Sequence, residues 1–196
     1  MMHEELWSQV IKLEPAATAK RAKCKYQSDT SCFAVIFLGS EYIVDIAKKD
    51  IFLADRNKPA EYLKQLCILA YLINSCQIPV ANKLVNPNKL DGGQFFFHGP
   101  HALPLQELAE VFGQKPGLLY QASSRFNAKK CDYGDASVEI FALPRLPLYY
   151  VIWAGDEEFP ARISILFDQT ASKQLPLDAL WAVVKLMNKA LIESCS

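Results

Sequence analysis

The sequence predicts an α+β fold: antiparallel strand groups, about five to six strands in all, covered by helices, with a buried central helix and an amphipathic helix at the C-terminus. Three observations carry that expectation. Apolar runs of strand length recur with connections too short for parallel crossovers. The stretch 60–75 is apolar on nearly every side, so as a helix it must be central. The final helix instead gathers its apolar residues into one stripe.

Residues 4–13 read as a short amphipathic helix with Leu6, Trp7, Val10, Ile11 and Leu13 toward one side, and Pro15 ends it or starts the next turn. Residues 16–25 read as a second helix, whose Lys20, Arg21, Lys23 and Lys25 form a solvated face; together they make a helical arm over about residues 1–25. Two strands, 32–38 and 41–46, surround the tight turn Gly39-Ser40 as a hairpin. Asn57-Lys58-Pro59 precedes the central helix. Residues 77–93 are a loop with Pro79, Pro87 and Asp91-Gly92-Gly93, leading into a buried Phe95-Phe96-Phe97 run and then His98-Gly99-Pro100-His101. Helices follow over 105–112, closed by Gly113, and over 116–130. Strands over 136–142, 148–153 and 161–167, joined by Pro144-Arg145-Leu146-Pro147 and by 155–160, lead to a helix opening at Pro176. Its stripe is Leu177, Leu180, Trp181, Val184, Met187 and Leu191. No internal repeat or low-complexity segment is read.

The 196 residues fit a single domain over 1–196. With 21 basic and 21 acidic residues the chain is formally neutral, which argues against a nucleic-acid partner. The start Met1-Met2-His3-Glu4-Glu5 has no basic segment before an apolar one, and the most apolar run, 66–73, is too short to cross a bilayer. A cytoplasmic location without membrane contact is expected. The cysteines Cys24, Cys32, Cys67, Cys76, Cys131 and Cys195 form no C-x-x-C pair and read as reduced thiols.

One stretch is distinctive: Gly134-Asp135, Leu143-Pro144-Arg145-Leu146-Pro147-Leu148, Trp153-Ala154-Gly155-Asp156-Glu157-Glu158-Phe159-Pro160-Ala161 and Ile165-Leu166-Phe167-Asp168. It resembles the signature of an uncharacterised prokaryotic family, domain of unknown function 3786. The likeness is clearest from about Tyr133 onward and extends upstream through Gly92-Gly93 and Gly99-Pro100-His101-Ala102-Leu103, so that about 92–196 is the family-like half. The resemblance implies no activity. Some relatives carry a cysteine-rich iron–sulfur segment of the kind found near corrinoid proteins, which hints at anaerobic one-carbon or tetrapyrrole metabolism; this chain lacks those cysteines.

Three constellations are candidate sites. Trp153 with Asp156, Glu157 and Glu158 is a candidate cofactor-binding turn, against the alternative of a charged turn that blunts a sheet edge. His98, His101, Asp135 and Asp168 are candidate metal ligands, although Gly-Pro between the two imidazoles prevents a helix from aligning them. Strand counting puts Asp135 and Asp156 at opposite edges, with Asp168 returning to the Asp135 side. Cys131, beside Asp132 and Asp135, is a nucleophile only if a cation such as Lys129 or Lys130 offsets the acids. Phosphate-binding glycine loops and hydrolase motifs are missing.

Three functions follow as expectations: a non-catalytic accessory protein that binds a small molecule or cofactor, or a protein partner; a metal-assisted hydrolase or transferase using the clustered acids and a histidine; and a homodimer subunit pairing through strand edges or the C-terminal helix. The sequence names no cofactor.

Overall fold

The structure, a computed structural model, describes residues 2–195. Helices α1 (Met2–Val10) and α2 (Pro15–Ala22) lead into a meander of β1 (Lys25–Gln27), β2 (Cys32–Phe37), β3 (Ser40–Asp45), β4 (Asp50–Leu53) and β5 (Lys58–Pro59), then α3 (Tyr62–Asn74). Strand β6 (Leu84–Val85) and helices α4 (Gly93–Phe96), α5 (Gln106–Phe112) and α6 (Leu118–Ser123) come next. They precede β7 (Lys129–Lys130), β8 (Ala136–Leu143), β9 (Leu146–Trp153), β10 (Arg162–Asp168) and α7 (Leu177–Glu193). The strands form two antiparallel five-stranded sheets, in the orders β1-β2-β3-β4-β5 and β6-β10-β9-β8-β7. The fold is α+β. Five strands beyond those read from sequence, β1, β4, β5, β6 and β7, are two to four residues long, too short to display a period of two.

Local chemistry sets the boundaries. The Glu14 carboxylate accepts the N–H groups of Ala16 and Ala17, Pro15 occupies the first turn, and left-handed Lys23 ends α2. The β2–β3 turn is Leu38-Gly39, both at positive φ (49° and 75°), the geometry of a primed two-residue hairpin turn. The helix expected over 116–130 stops at Ser123, becomes a tight turn over Ser124–Phe126 and is closed by left-handed Asn127. Strand β9 begins at Leu146 and includes Pro147, which lies opposite Phe141 at an irregularity in the β8–β9 ladder. A residue without an N–H is tolerated there. The phenylalanine run is not uniformly buried: Phe97 is, whereas Phe95 is 74% exposed. Successive residues of the α4 turn point about 100° apart, so all three cannot face the core.

Buried residues of both sheets merge into one apolar cluster. Phe33, Val35 and Phe37 of one sheet and Ile140, Leu148 and Phe167 of the other belong to it together with Ile68 and Leu72 of α3 and Val184 and Met187 of α7. The C-terminal helix, expected as a surface for a second copy, buries eight residues within its own chain.

No internal repeat is read in the residues, yet the order of elements repeats in the structure. The order helix, left-handed residue, short edge strand, long hairpin, third strand, long helix occurs twice: α2, Lys23, β1, β2–β3, β4, α3, and then α6, Asn127, β7, β8–β9, β10, α7. The contacts between halves are reciprocal. The β2–β3 turn lies on the end of the helical segment α6 and Ser124–Phe126, where a Cβ on Gly39 would stand 3.1 Å from Arg125 O. The β8–β9 turn lies on the end of α2, where Arg145 Nε donates to Arg21 O (2.6 Å). Helices α3 and α7 pack together, and Leu38 N–H bridges to Ala142 O (2.9 Å) where β2 and β8 approach. Such i-to-j and j-to-i contacts are those of a two-fold interface, here inside one chain. Little of it shows in the residues because the halves share backbone geometry and burial rather than side chains. The trace is Arg21-Ala22-Lys23-Cys24-Lys25 against Arg125-Phe126-Asn127-Ala128-Lys129, an Arg two before the left-handed residue and a Lys two after it.

Candidate functional site

The constellations read from sequence are employed locally. Asp156 accepts the N–H groups of Glu158 (2.9 Å) and Phe159 (2.7 Å) and so closes its own turn, while Glu157 and Glu158 are exposed. The Trp153 ring is covered by the Arg162 guanidinium at 4.2 Å.

His101 stacks on Phe96 at 4.4 Å and meets Trp181 edge-on at 5.8 Å; His98 is exposed. Asp135 binds Ala154 N–H (2.7 Å), which places it at the same sheet end as Asp156; the strand counting is thereby corrected. Each hairpin reverses direction, so the start of β8 and the end of β9 coincide, and Asp168 at the end of β10 lies opposite. With Ala136 facing Ile152 and Phe167 facing Leu148, about six residues of rise, roughly 20 Å, separate Asp135 from Asp168 along the strands. The structure does not bring the four candidate metal ligands together. Among the described residues no group of three or more His, Cys, Asp or Glu is placed to hold a metal ion.

Asp168 is fully buried. Its Oδ1 accepts from Thr170 Oγ1 (2.6 Å), Thr170 N (2.9 Å) and Ala81 N (3.1 Å). Burial pushes its carboxyl up, but those donors, with Asn82 N–H nearby, win and hold it below its ordinary value. Its Oδ2 has no partner among the described residues. Nearby on β8 and β9, the Tyr149 hydroxyl donates to Glu139, and burial, then that carboxylate, push the phenol well above its usual range. Burial and Glu139 also raise the Cys131 thiol, and burial raises Cys24 to about 11 and Cys67 to about 12. These three groups are therefore thiols at neutral pH, poor as nucleophiles.

The feature that sequence reading missed lies between the halves. A cavity of about 390 Å³ opens where the Leu38-Gly39 turn meets the tight turn after α6, the start of α3 and the end of α7. Its apolar wall includes Leu38, Tyr42, Phe126 and Leu186. Its charged wall pairs Arg56 with Asp55 (3.4 Å), Lys64 with Glu61 (3.3 Å) and Lys189 with Glu193 (3.7 Å), all local in sequence. Arg125 donates to Ala190 O (2.9 Å), as its counterpart Arg21 donates to Ser75 O (2.9 Å) in the other half. Arg125 O itself accepts no hydrogen bond from the described residues.

The corresponding place in the other half is filled. There Arg145 stands where Gly39 stands here, and its guanidinium donates to Arg21 O, to Ile78 O (3.2 Å) and to Lys20 O (3.3 Å). No carboxylate pairs with Arg145 among the described residues; two backbone carbonyls at the end of α2 and one after α3 hold it. The signal that could have pointed here is the repeated Arg and Lys around the two left-handed residues, followed by hairpin turns that differ by glycine against arginine.

Fold and cavity thus define an α+β protein of two like halves, one sealed by its own arginine and one open. A family model described as a domain of unknown function, DUF3786, matches residues 14–190, and the chain belongs to that family. No curated protein and no solved structure matches it. Among the described residues no helix is long and apolar enough to cross a membrane.

Proposed function

We propose that this protein is a non-catalytic binder of a small molecule, which it takes into the cavity beside Gly39. The observation that supports this reading is the contrast between equivalent places: one half fills its groove with Arg145, and the other keeps glycine and a cavity of about 390 Å³. That volume is at the small end of the range of about 300–1,000 Å³ for ligand sites and suits a metabolite rather than a tetrapyrrole ring. One-carbon or corrinoid metabolism, which the family resemblance implies, enters only as a setting for such a ligand. A lining that mixes apolar with charged side chains favours an amphiphilic compound.

The test compares the chain with its Ala190→Phe variant, which fills the cavity from the α7 wall, in thermal-shift screening across amines, amino acids, organic acids and phosphates. A compound that raises the melting temperature of the wild type and not of the variant is the expected result. A compound that stabilises both equally places binding elsewhere and refutes this reading, as does a screen with no stabilising compound.

A further inference from the structure

We infer that the chain associates with further copies of itself head to tail, the acidic aromatic loop after β9 of one copy seated in the basic concavity beside α2 of the next. The loop holds one ring out to solvent. Asp156 N–H donates to Phe159 O (2.9 Å), and the Asp156 carboxylate accepts the N–H groups of Glu158 and Phe159, so the turn closes on itself. Gly155 N–H ties its base to Gly113 O (3.2 Å), and Pro160 restricts the backbone that follows. On that turn Phe159 is 66% exposed, and Glu157 and Glu158 are exposed with no basic partner among the described residues. An aromatic side chain on a turn that is already ordered is the kind of anchor on which protein contacts centre.

The receiving surface lies on the first sheet. Ala34 and Ile36 alternate along β2 with the core residues Phe33, Val35 and Phe37, so they face away from the core. They line a concavity of about 440 Å³ in which Lys20, Lys23 and Lys25 stand against one carboxylate, Glu41. The three lysines are exposed and have no acidic partner among the described residues, and Ile36 is 45% exposed. Loop and concavity therefore complement each other in charge, and each offers an exposed apolar side chain. The second half does not repeat the site. Lys25 pairs with Ala34, but Lys129 pairs with Glu139, and the concavity at that place sets Asp132 and Glu139 against Lys129 and Lys130. Nor can the loop reach the concavity of its own chain. Arg145, just before β9, donates to Lys20 O at the concavity, whereas the loop leaves the far end of β9, eight residues and roughly 25 Å away. A contact between unlike surfaces at opposite ends adds copies in series, into a ring or an open chain.

The experiment compares the full-length wild type with two variants that each keep one side of the contact. Phe159→Ser keeps the concavity; Lys20→Glu with Lys25→Glu keeps the loop, and Lys25→Glu alone serves should the double variant melt lower than wild type. A contact this small is weak, so sedimentation is followed up to about 1 mM protein. Wild type is expected to grow past a dimer as concentration rises and to fall back in about 0.5 M sodium chloride. Each variant alone is expected to associate at least about tenfold more weakly. Mixed, the two are expected to stop at a dimer, the unlabelled lysine variant moving the amide signals of Ala34 and Ile36 in ¹⁵N-labelled Phe159→Ser. A wild type that stays monomeric overturns the inference, as does association that either variant retains, or a mixture in which those signals stay still. If wild type is monomeric and a Glu-Glu-Phe peptide moves the Ala34 and Ile36 signals, the occupant is an acidic segment of another protein and the second copy is excluded.

Discussion

The turns Leu38-Gly39 and Pro144-Arg145 occupy equivalent places in the two halves and do opposite things. One has both residues at positive φ and leaves a cavity against the helix end it touches. The other carries a side chain that crosses to the opposite half and satisfies carbonyls of residues 20, 21 and 78. The difference teaches that a repeated framework can tie one copy of a turn down with its own side chain and leave a cavity beside the other. Carbonyls at a helix end need donors from outside the helix; in one copy the Arg145 guanidinium supplies them, and in the other no described residue donates to Arg125 O.

The strongest way to break the comparison is to unseal the sealed half. Arg145→Ala should destabilise the protein by about 3 kcal/mol in urea denaturation, because charge-assisted bonds are worth about 1.5–3 kcal/mol and the carbonyls they served lose their donor. A variant as stable as wild type would mean that Arg145 is ornamental and the contrast with Gly39 empty.

Next come the two equivalent arginines. Arg21 is half-buried and reaches both the Ser75 carbonyl and its hydroxyl, whereas Arg125 is exposed and makes one bond, to Ala190 O. Arg21→Ala should cost about 1.5 kcal/mol and Arg125→Ala close to nothing. Equal losses in the same urea assay would show that both halves rely on this cap alike.

Gly39→Ala sharpens the comparison from the open side. A Cβ at φ +75° and 3.1 Å from Arg125 O should lower stability by about 1 kcal/mol, measured by thermal melting. No change would mean that the turn relaxes out of its primed geometry.

The smallest effect is expected in the acid limb, at Asp168 in the second half. Asp168 at the end of β10 has its carboxyl held low by donors from Thr170 and Ala81. A folded value below the unfolded one of about 3.9 gives stability that is present above that pH and is lost as pH falls through the depressed value. Urea midpoints measured from pH 6 downward should therefore fall more steeply for wild type than for Asp168→Asn. Parallel curves would assign the acid loss to other groups.

The legible parts of the site and fold were those that neighbours in sequence decide. Asp156 as a turn residue was one of the readings open from the sequence, and the structure realises it through two N–H groups within three residues. The four candidate metal ligands lie apart for the opposite reason: His101 stacks with Phe96 and Trp181, and Asp135 and Asp168 sit at opposite strand ends, placements set by pairing rather than by spacing. The cavity was illegible because its walls come from the first hairpin, the third helix, the turn after the sixth and the last helix.

By itself the sequence determined the α+β class, the apolar α3, the striped α7 and the family likeness, because hydrophobic period and turn chemistry act over a few residues. Only the tertiary structure decided that the two strand groups are one plan used twice, that Arg145 is tied to Arg21 from 124 positions away, and that Arg125 O is left without a donor from the described chain. Hydrogen-bond satisfaction between distant segments depends on how the halves dock, and docking is fixed by the shape of the shared core rather than by any local run of residues.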